Sequence, residues 1–151
     1  MIKIITVGTI KEKYLKDAIE EYRKRLRRYI DIDIIEIKDE GLLPPLQAMA
    51  KEGEKIIKYL NEKDYIITLE IEGKELTSEE LSKKIEEIMI INSNITFIIG
   101  GSYGIDKRIK ERANYHLSFS KLTFPHQLFR VLLLEQLYRA FKIINNESYH
   151  K

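Results

Sequence analysis

Three stretches of this chain hold residues that could do chemistry. The first is Gly100-Gly101-Ser102-Tyr103-Gly104, directly after the apolar run Phe97-Ile98-Ile99. Glycines there let the backbone turn sharply and come close to a ligand. No Gly-Lys-Ser/Thr follows, as a phosphate-binding P-loop would need, and the glycine spacing is not a dinucleotide fingerprint. The spacing fits a tight strand-to-helix turn as well as it fits a ligand site. The second stretch is Leu117-Ser118-Phe119-Ser120-Lys121-Leu122-Thr123-Phe124-Pro125-His126-Gln127. It mixes small hydroxyls with apolar side chains, so its backbone N–H and C=O groups could serve an adenine while the apolar groups wall it in. A buried connector stopped by Pro125 fits the same letters. The third is the tail Glu147-Ser148-Tyr149-His150-Lys151. Chain ends usually fray, yet a Tyr, a His and a Lys together can stack on a base and hold phosphate.

Other chemistries are poorly supported. His116, His126 and His150 lack ligand spacing and have no paired carboxylates beside them, so no metal site is expected. No cysteine is present, which removes disulfides, thiol catalysis and Cys-type zinc sites. A nucleophilic triad around Ser102 is not supported.

The elements that must position these residues follow from hydrophobic periodicity. Apolar, β-branched runs at Ile2–Val7, Ile32–Ile37, Tyr65–Ile71 and Ile95–Ile99 read as strands, and Tyr115–Ser118 as a weaker one. Helical spacing covers Lys11–Tyr29, where Leu15, Ala18, Ile19, Tyr22, Leu26 and Tyr29 share a face. Pro45–Leu60 follows, with proline tolerated at its start. Thr77 and Ser78 before Glu79 and Glu80 mark the start of a helix through Ile91. Asp106 opens a short helix, and Pro125 opens a long one running to about Asn145. On that last helix Leu133, Leu134, Leu137, Ala140, Phe141 and Ile144 form a broad apolar face, opposite Glu135, Gln136 and Arg139. Val131, Leu132 and Ile143 flank the polar strip. So much apolar circumference suits either a subunit interface or a central core helix. Arg130 lies on the apolar face, where a guanidinium needs an acidic or phosphate partner. It either pairs inside the fold or lines a site at the helix start.

Alternating strands and helices imply an α/β fold, a mainly parallel sheet with helices on both faces, in one domain spanning 1–151. Ligands of such sheets bind beyond the carboxyl ends of the strands, which points to the loops after Leu69, Ile99 and Ser118. The composition, 44% hydrophobic and 33% charged, is that of a globular domain rather than a disordered or membrane chain. No signal peptide or spanning segment is apparent, and a cytoplasmic location without membrane contact is expected. Residues 101–151 carry nine Lys/Arg against four Asp/Glu, and Arg23–Arg28 adds a local basic cluster. Charge alone does not separate a polyanion-binding surface from a solvated helix face.

Taken together, several segments resemble one family, the bacterial ribosomal RNA large-subunit methyltransferase H family of the SPOUT superfamily. They are Ile67-Thr68-Leu69-Glu70-Ile71-Glu72-Gly73-Lys74, Phe97–Gly104, Leu117–Gln127, Glu135-Gln136-Leu137-Tyr138-Arg139-Ala140 and Tyr149-His150-Lys151, with Val7-Gly8 and Lys11–Tyr14 near the start. The resemblance spans essentially the whole chain, and Leu117–Arg139 is its most specific part. It implies methyl transfer from S-adenosylmethionine to N3 of a pseudouridine in 23S rRNA, on assembled ribosomes. It also implies a C-terminal trefoil knot and a homodimer. Carried over by position, the cofactor pocket comprises Leu69, Gly100 and Phe119-Ser120-Lys121-Leu122-Thr123-Phe124. Arg139, Tyr149 and His150 become candidates for positioning the substrate, with Arg130 and His126 behind them. Two departures stand out: Ser148 replaces a proline found in many members, and the region Asp39–Gln47 is short.

Overall fold

The computed structural model describes all residues, 1–151. Its elements run β1 (Ile2–Val7), α1 (Lys13–Leu26), β2 (Ile32–Ile37), α2 (Pro45–Ile57), β3 (Tyr65–Glu75), α3 (Ser78–Ile91), β4 (Ile95–Ile99), α4 (Lys107–Arg112), β5 (Tyr115–Ser118) and α5 (His126–Ile144). The strands form one sheet in the order β2-β1-β4-β3-β5, every pairing parallel. The expected α/β architecture is therefore the observed one, and four of five strands have the boundaries that periodicity predicts.

Both faces of the sheet are covered. Ile2 and Ile4 of β1, Ile67 of β3 and Ile95, Phe97 and Ile99 of β4 pack under α1, α3 and α5. Ile5, Val7, Ile66 and Ile98 face the other way, onto α2 and α4. Every residue of β4 is buried, which is why its run shows no polar alternation. The helix starts follow local chemistry. Thr77 caps α3 through the Glu80 N–H while the Glu80 carboxylate returns to the Thr77 N–H, a reciprocal capping box. Asp106 caps α4 through the Arg108 N–H.

Two features bear on the site. The first is a difference from the sequence reading: β3 does not end at Ile71 but continues to Glu75. It pairs with β5 at Ile67–Leu69, leaves register, and rejoins at Lys74 and Glu75. Residues 70–73 thus form a bulge at the carboxyl end of the strand, not a free loop. Alternation cannot show this, because the extra residues keep an extended, mixed pattern. Gly73 allows the rejoining, since a Cβ there would lie 2.8 Å from the Leu117 backbone.

The second is the path of the chain after β5. That strand sits at one edge of the sheet, yet α5 begins near the other. Arg130, only 2% exposed, donates to Glu36 Oε2 at 2.6 Å and to the Gly8 carbonyl at 3.2 Å. Glu36 is the next-to-last residue of β2, and Gly8 follows β1. The segment between Ser118 and Arg130 therefore crosses the carboxyl ends of the strands between β5 and β2. Glu36 also accepts the Ile10 N–H at 3.1 Å, so one carboxylate ties three segments together. Arg130 pairs inside the fold, which resolves the alternative that the sequence left open. Arg130→Ala should lower stability by roughly 2–3 kcal/mol, less than for a wholly buried pair because Glu36 keeps contact with water. Urea unfolding measures this, and a change below about 0.5 kcal/mol would show that the pair does not hold the crossing.

Candidate functional site

A cleft of about 480 Å³ opens where the three expected segments meet at the carboxyl ends of β3, β4 and β5. That volume suits a small organic ligand or cofactor. Leu69 and the bulge residues Glu70, Ile71 and Glu72 form one side. Gly100 to Ile105 form the second, and Ser118, Phe119, Ser120, Leu122, Thr123 and Phe124 the third. Phe129, from the first turn of α5, closes the back, with its ring 4.8 Å from Phe119 and 6.1 Å from Phe124. Such tilted aromatic contacts make a firm apolar wall.

Each segment is held by its own chemistry. Gly100 lies where a Cβ would come within 2.7 Å of Ile105 and 2.8 Å of the Gly104 backbone, so only glycine lets this turn close. The Ser118 hydroxyl donates to the Ser120 carbonyl at 3.1 Å, and the Ser120 hydroxyl accepts the Leu122 N–H at 3.0 Å. These short-range bonds shape the crossing segment without regular structure. Of the expected pocket residues, Leu69, Gly100, Phe119, Ser120, Leu122, Thr123 and Phe124 all line the cleft. Lys121 does not; it is exposed and lies outside the lining. His126 lines the mouth, whereas Arg130 is withdrawn behind it.

In letters, Gly100–Gly104 spells Gly-x-Ser-x-Gly, so the case against a nucleophile at Ser102 has to come from structure. Gly101 and Gly104 bridge across Ser102, and α4 begins only at Lys107, so there is no strand-to-helix elbow. No histidine bonds the Ser102 hydroxyl.

Sequence reasoning missed the charged group of the cleft. Glu70 has a side chain only 8% exposed. Its Oε2 receives the Thr68 hydroxyl at 2.6 Å and contacts His116 Nδ1, and its Oε1 lies 3.3 Å from Lys110 Nζ. Burial pushes the carboxyl up, but the donors Thr68, His116 and Lys110 outweigh it and hold the group below its usual value. Burial likewise lowers Lys110, and the pairing with Glu70 and Glu72 more than reverses it. The available signal was a lone charge at the end of the buried run Ile66–Leu69. A buried charge has to be paired.

The tail occupies a different place. Tyr149 packs edge-on against Tyr138 at 4.9 Å, lies under the Arg139 guanidinium at 4.7 Å, and donates to Glu135 at 3.1 Å. Arg139 pairs with Glu135 and approaches His150 Nδ1 at 3.2 Å. His150 Nε2 meets Glu79 of α3 at 2.6 Å. An arginine can only donate, so Nδ1 accepts and Nε2 donates to the carboxylate. The structure thus gathers Arg139, Tyr149 and His150 on the outer polar strip of α5. None of the three lines the cleft. The Arg23–Arg28 cluster approaches the same strip: Arg25 lies over the rings of Tyr22 and Tyr138, and Arg28 over Tyr29. There is no group of three or more His, Cys, Asp or Glu side chains arranged to hold a metal, and no helix is long and apolar enough to cross a membrane.

Burial and the Glu135 carboxylate push the Tyr149 phenol up to about 12. A raised folded-state value means the tail contact contributes stability that is complete below the ordinary tyrosine range. That stability is lost as pH rises toward 12. The difference in absorbance near 295 nm (a phenolate band) between wild type and Tyr149→Phe should therefore titrate about two units above a free tyrosine. A midpoint near 10 would mean the tail is not docked.

Comparison with known proteins adds the following. The family model described as predicted SPOUT methyltransferase matches residues 1–150. A Clostridium perfringens (strain SM101 / Type A) protein named ribosomal RNA large subunit methyltransferase H 1 is 52% identical over 157 residues, with 99% of each chain covered. A chain from Methanococcus maripaludis (strain C5 / ATCC BAA-1333) carries that methyltransferase H name provisionally and is 56% identical, also with 99% of each chain covered. A solved structure described as a probable methylase family protein from Haemophilus influenzae Rd KW20 superposes with a TM-score of 0.59 at 15% identity. It covers 99% of this chain and 70% of that one, and at such identity the likeness concerns the fold.

Proposed function

The chain belongs to the SPOUT methyltransferase family, and from that premise we propose that it methylates N3 of a pseudouridine in 23S ribosomal RNA, with S-adenosylmethionine as methyl donor. The observation that carries the reading is the cleft that Leu69, Gly100 and the Phe119–Phe124 segment build at the carboxyl ends of three parallel strands. The ribosomal target rests on relatives that carry that name at about half identity over their whole length.

The residues present fit the donor. The turn that Gly100 lets close sets a stretch of backbone along one side of the cleft, where a flat heterocycle can lie, and Leu69, Phe119 and Phe129 exclude water around it. When bound, S-adenosylmethionine supplies an electrophilic methyl group on a sulfonium. The protein's part is to hold the acceptor nitrogen in line with it, which supplies much of the rate. N3 of a pseudouridine bears an imide proton that must leave. Arg139, already gathered with Tyr149 and His150, offers a cation to offset the negative charge that builds on the imide. Tyr149 offers a ring for stacking on the base.

In one chain this tail lies away from the cleft. The proposal therefore includes a homodimer in which the tail of one copy serves the cleft of the other, with α5 at the interface. The half-buried Val131, Leu132 and Ile143 on α5 suit such a contact. The path of the Ser118–Arg130 segment across the strand ends is also consistent with a trefoil knot, which completes the fold proposed here. Assembled ribosomes suit the modest basic surface better than free RNA.

Methylation of purified ribosomes, with the modified nucleotide located by mass spectrometry, tests activity and target together. His150→Ala should lower turnover on the order of 10²-fold, while calorimetry finds cofactor affinity nearly unchanged. Co-expression of His150→Ala with a Gly100→Val subunit should restore activity to mixed dimers, because one intact cleft then meets one intact tail. Normal turnover in His150→Ala, or no restoration in the mixture, would overturn the shared site.

A further inference from the structure

The cleft is mostly apolar, and its lining includes one charged side chain that is more than nine-tenths buried, Glu70. Its network is asymmetric. Oε2 is saturated by the Thr68 hydroxyl and His116, which themselves lie 2.8 Å apart. Oε1 has only the Lys110 ammonium, at 3.3 Å. A carboxylate offers about four acceptor positions, two on each oxygen. The oxygen that borders Lys110 therefore keeps one free.

The arrangement is that of a fixed acceptor. Thr68 belongs to β3, His116 to β5 and Lys110 to α4, so three elements set the carboxylate's direction. The bulge at residues 70–73 is what places it in the cleft rather than in the β3–β5 ladder. The surrounding donors keep it ionised, and thus acceptor-only. It comes immediately after Leu69, whose side chain belongs to the apolar wall.

We infer that Glu70 is the ribose-recognising residue of the cleft, accepting a hydroxyl of an adenosine ribose on Oε1. The inference rests on reading the cleft as an S-adenosylmethionine site. With the adenine against the apolar wall, the donors beside it are its own amino group and the hydroxyls of its sugar, and only the hydroxyls come as a neighbouring pair for a carboxylate. A carboxylate at a strand's carboxyl end taking ribose hydroxyls is also how parallel sheets recognise other adenosine cofactors. Thr68, His116 and Lys110 together keep the acid ionised, and Thr68 and His116 also position it. Nothing in the resemblance to known methyltransferases gave Glu70 a role.

The test is calorimetric and independent of catalysis. Wild type and Glu70→Gln are titrated with S-adenosylmethionine, with 5′-methylthioadenosine, and with the 2′-deoxy and 3′-deoxy forms of the latter. Methylthioadenosine has the sugar but no amino-acid end. Glu70→Gln should weaken S-adenosylmethionine and methylthioadenosine by the same factor, roughly ten- to hundredfold, as loss of a charged hydrogen bond implies. One deoxy form should bind wild type about as weakly as methylthioadenosine binds the variant, and should lose nothing further in the variant. Equal loss across all four ligands, or none at all, overturns the inference. Loss confined to S-adenosylmethionine overturns it too, because Glu70 would then face the ammonium. If Glu70→Gln fails to fold, Glu70→Asp draws the carboxylate back by one methylene and should show a smaller loss in the same pattern. Failure of wild type to bind S-adenosylmethionine would instead defeat the cofactor reading itself, so the two failures are distinguishable.

Discussion

The buried guanidinium of Arg130 is the constraint on which the rest of the molecule depends. A charge in an apolar interior needs partners, and the only way to supply them here is to bring the start of α5 against the ends of β1 and β2. Chain order puts β5 at the opposite edge of the sheet. Strand spacing of about 4.8 Å makes that a traverse on the order of 14 Å to β1. The residues after Ser118 have to span it over the strand tips, where no sheet or helix can satisfy them. They therefore bond to themselves through Ser118 and Ser120 and turn their aromatic rings inward. The cleft is the space beneath this crossing. Its shape follows from where α5 is clamped as much as from the residues that line it.

Legibility in the sequence tracked how strongly a residue's neighbours along the chain determine its state. β1 and β4 were readable to the residue because a strand buried on both faces is nearly apolar throughout and ends in turn residues, and the edge strands β2 and β5 still showed as short β-branched or aromatic runs. The pocket was readable for a topological reason: parallel sheets expose ligand sites at carboxyl ends, and the glycine turn and the hydroxyl-rich segment both sat there. What escaped was everything decided by contacts distant in sequence. The β3 bulge depends on β5 returning beside it. The partner of Arg130 is 94 residues away, and that of Glu70 is 46 residues away. Lys121 shows the same limit from the other side. Position within a lining segment does not say which way a side chain points, and in an irregular segment no period can supply the answer.

The polar groups fall into two networks with opposite design. Around Glu70, a buried hydroxyl and two half-exposed cationic or imidazole groups from three elements converge on one buried carboxylate, with one acceptor left over. Around Glu135, one carboxylate takes the donors Arg139 and Tyr149, and His150 is left to reach Glu79. The second network is half-buried at Glu135 and Arg139 and opens to water at Glu79. The His150–Glu79 bond, made in water's reach, costs little to exchange. The first is an arrangement for recognition, in which rigidity improves selectivity. The second is an arrangement that can release its members to a new partner.

That contrast bears on how so short a chain could bring an RNA base to a cofactor. The cleft is already walled by the crossing segment and the bulge. A second large substrate has to enter from outside, and the groups that meet it cannot be buried beforehand. Placing them on a tail that is docked yet half-exposed, and held at its tip by the water-accessible His150–Glu79 bond, meets that requirement. On the proposed reading, the second copy then supplies the closing wall. In that proposal the cofactor half of the site stays preformed within one fold, while the base-holding half assembles when two chains and the RNA come together. Water is thus excluded at the moment of transfer and not before.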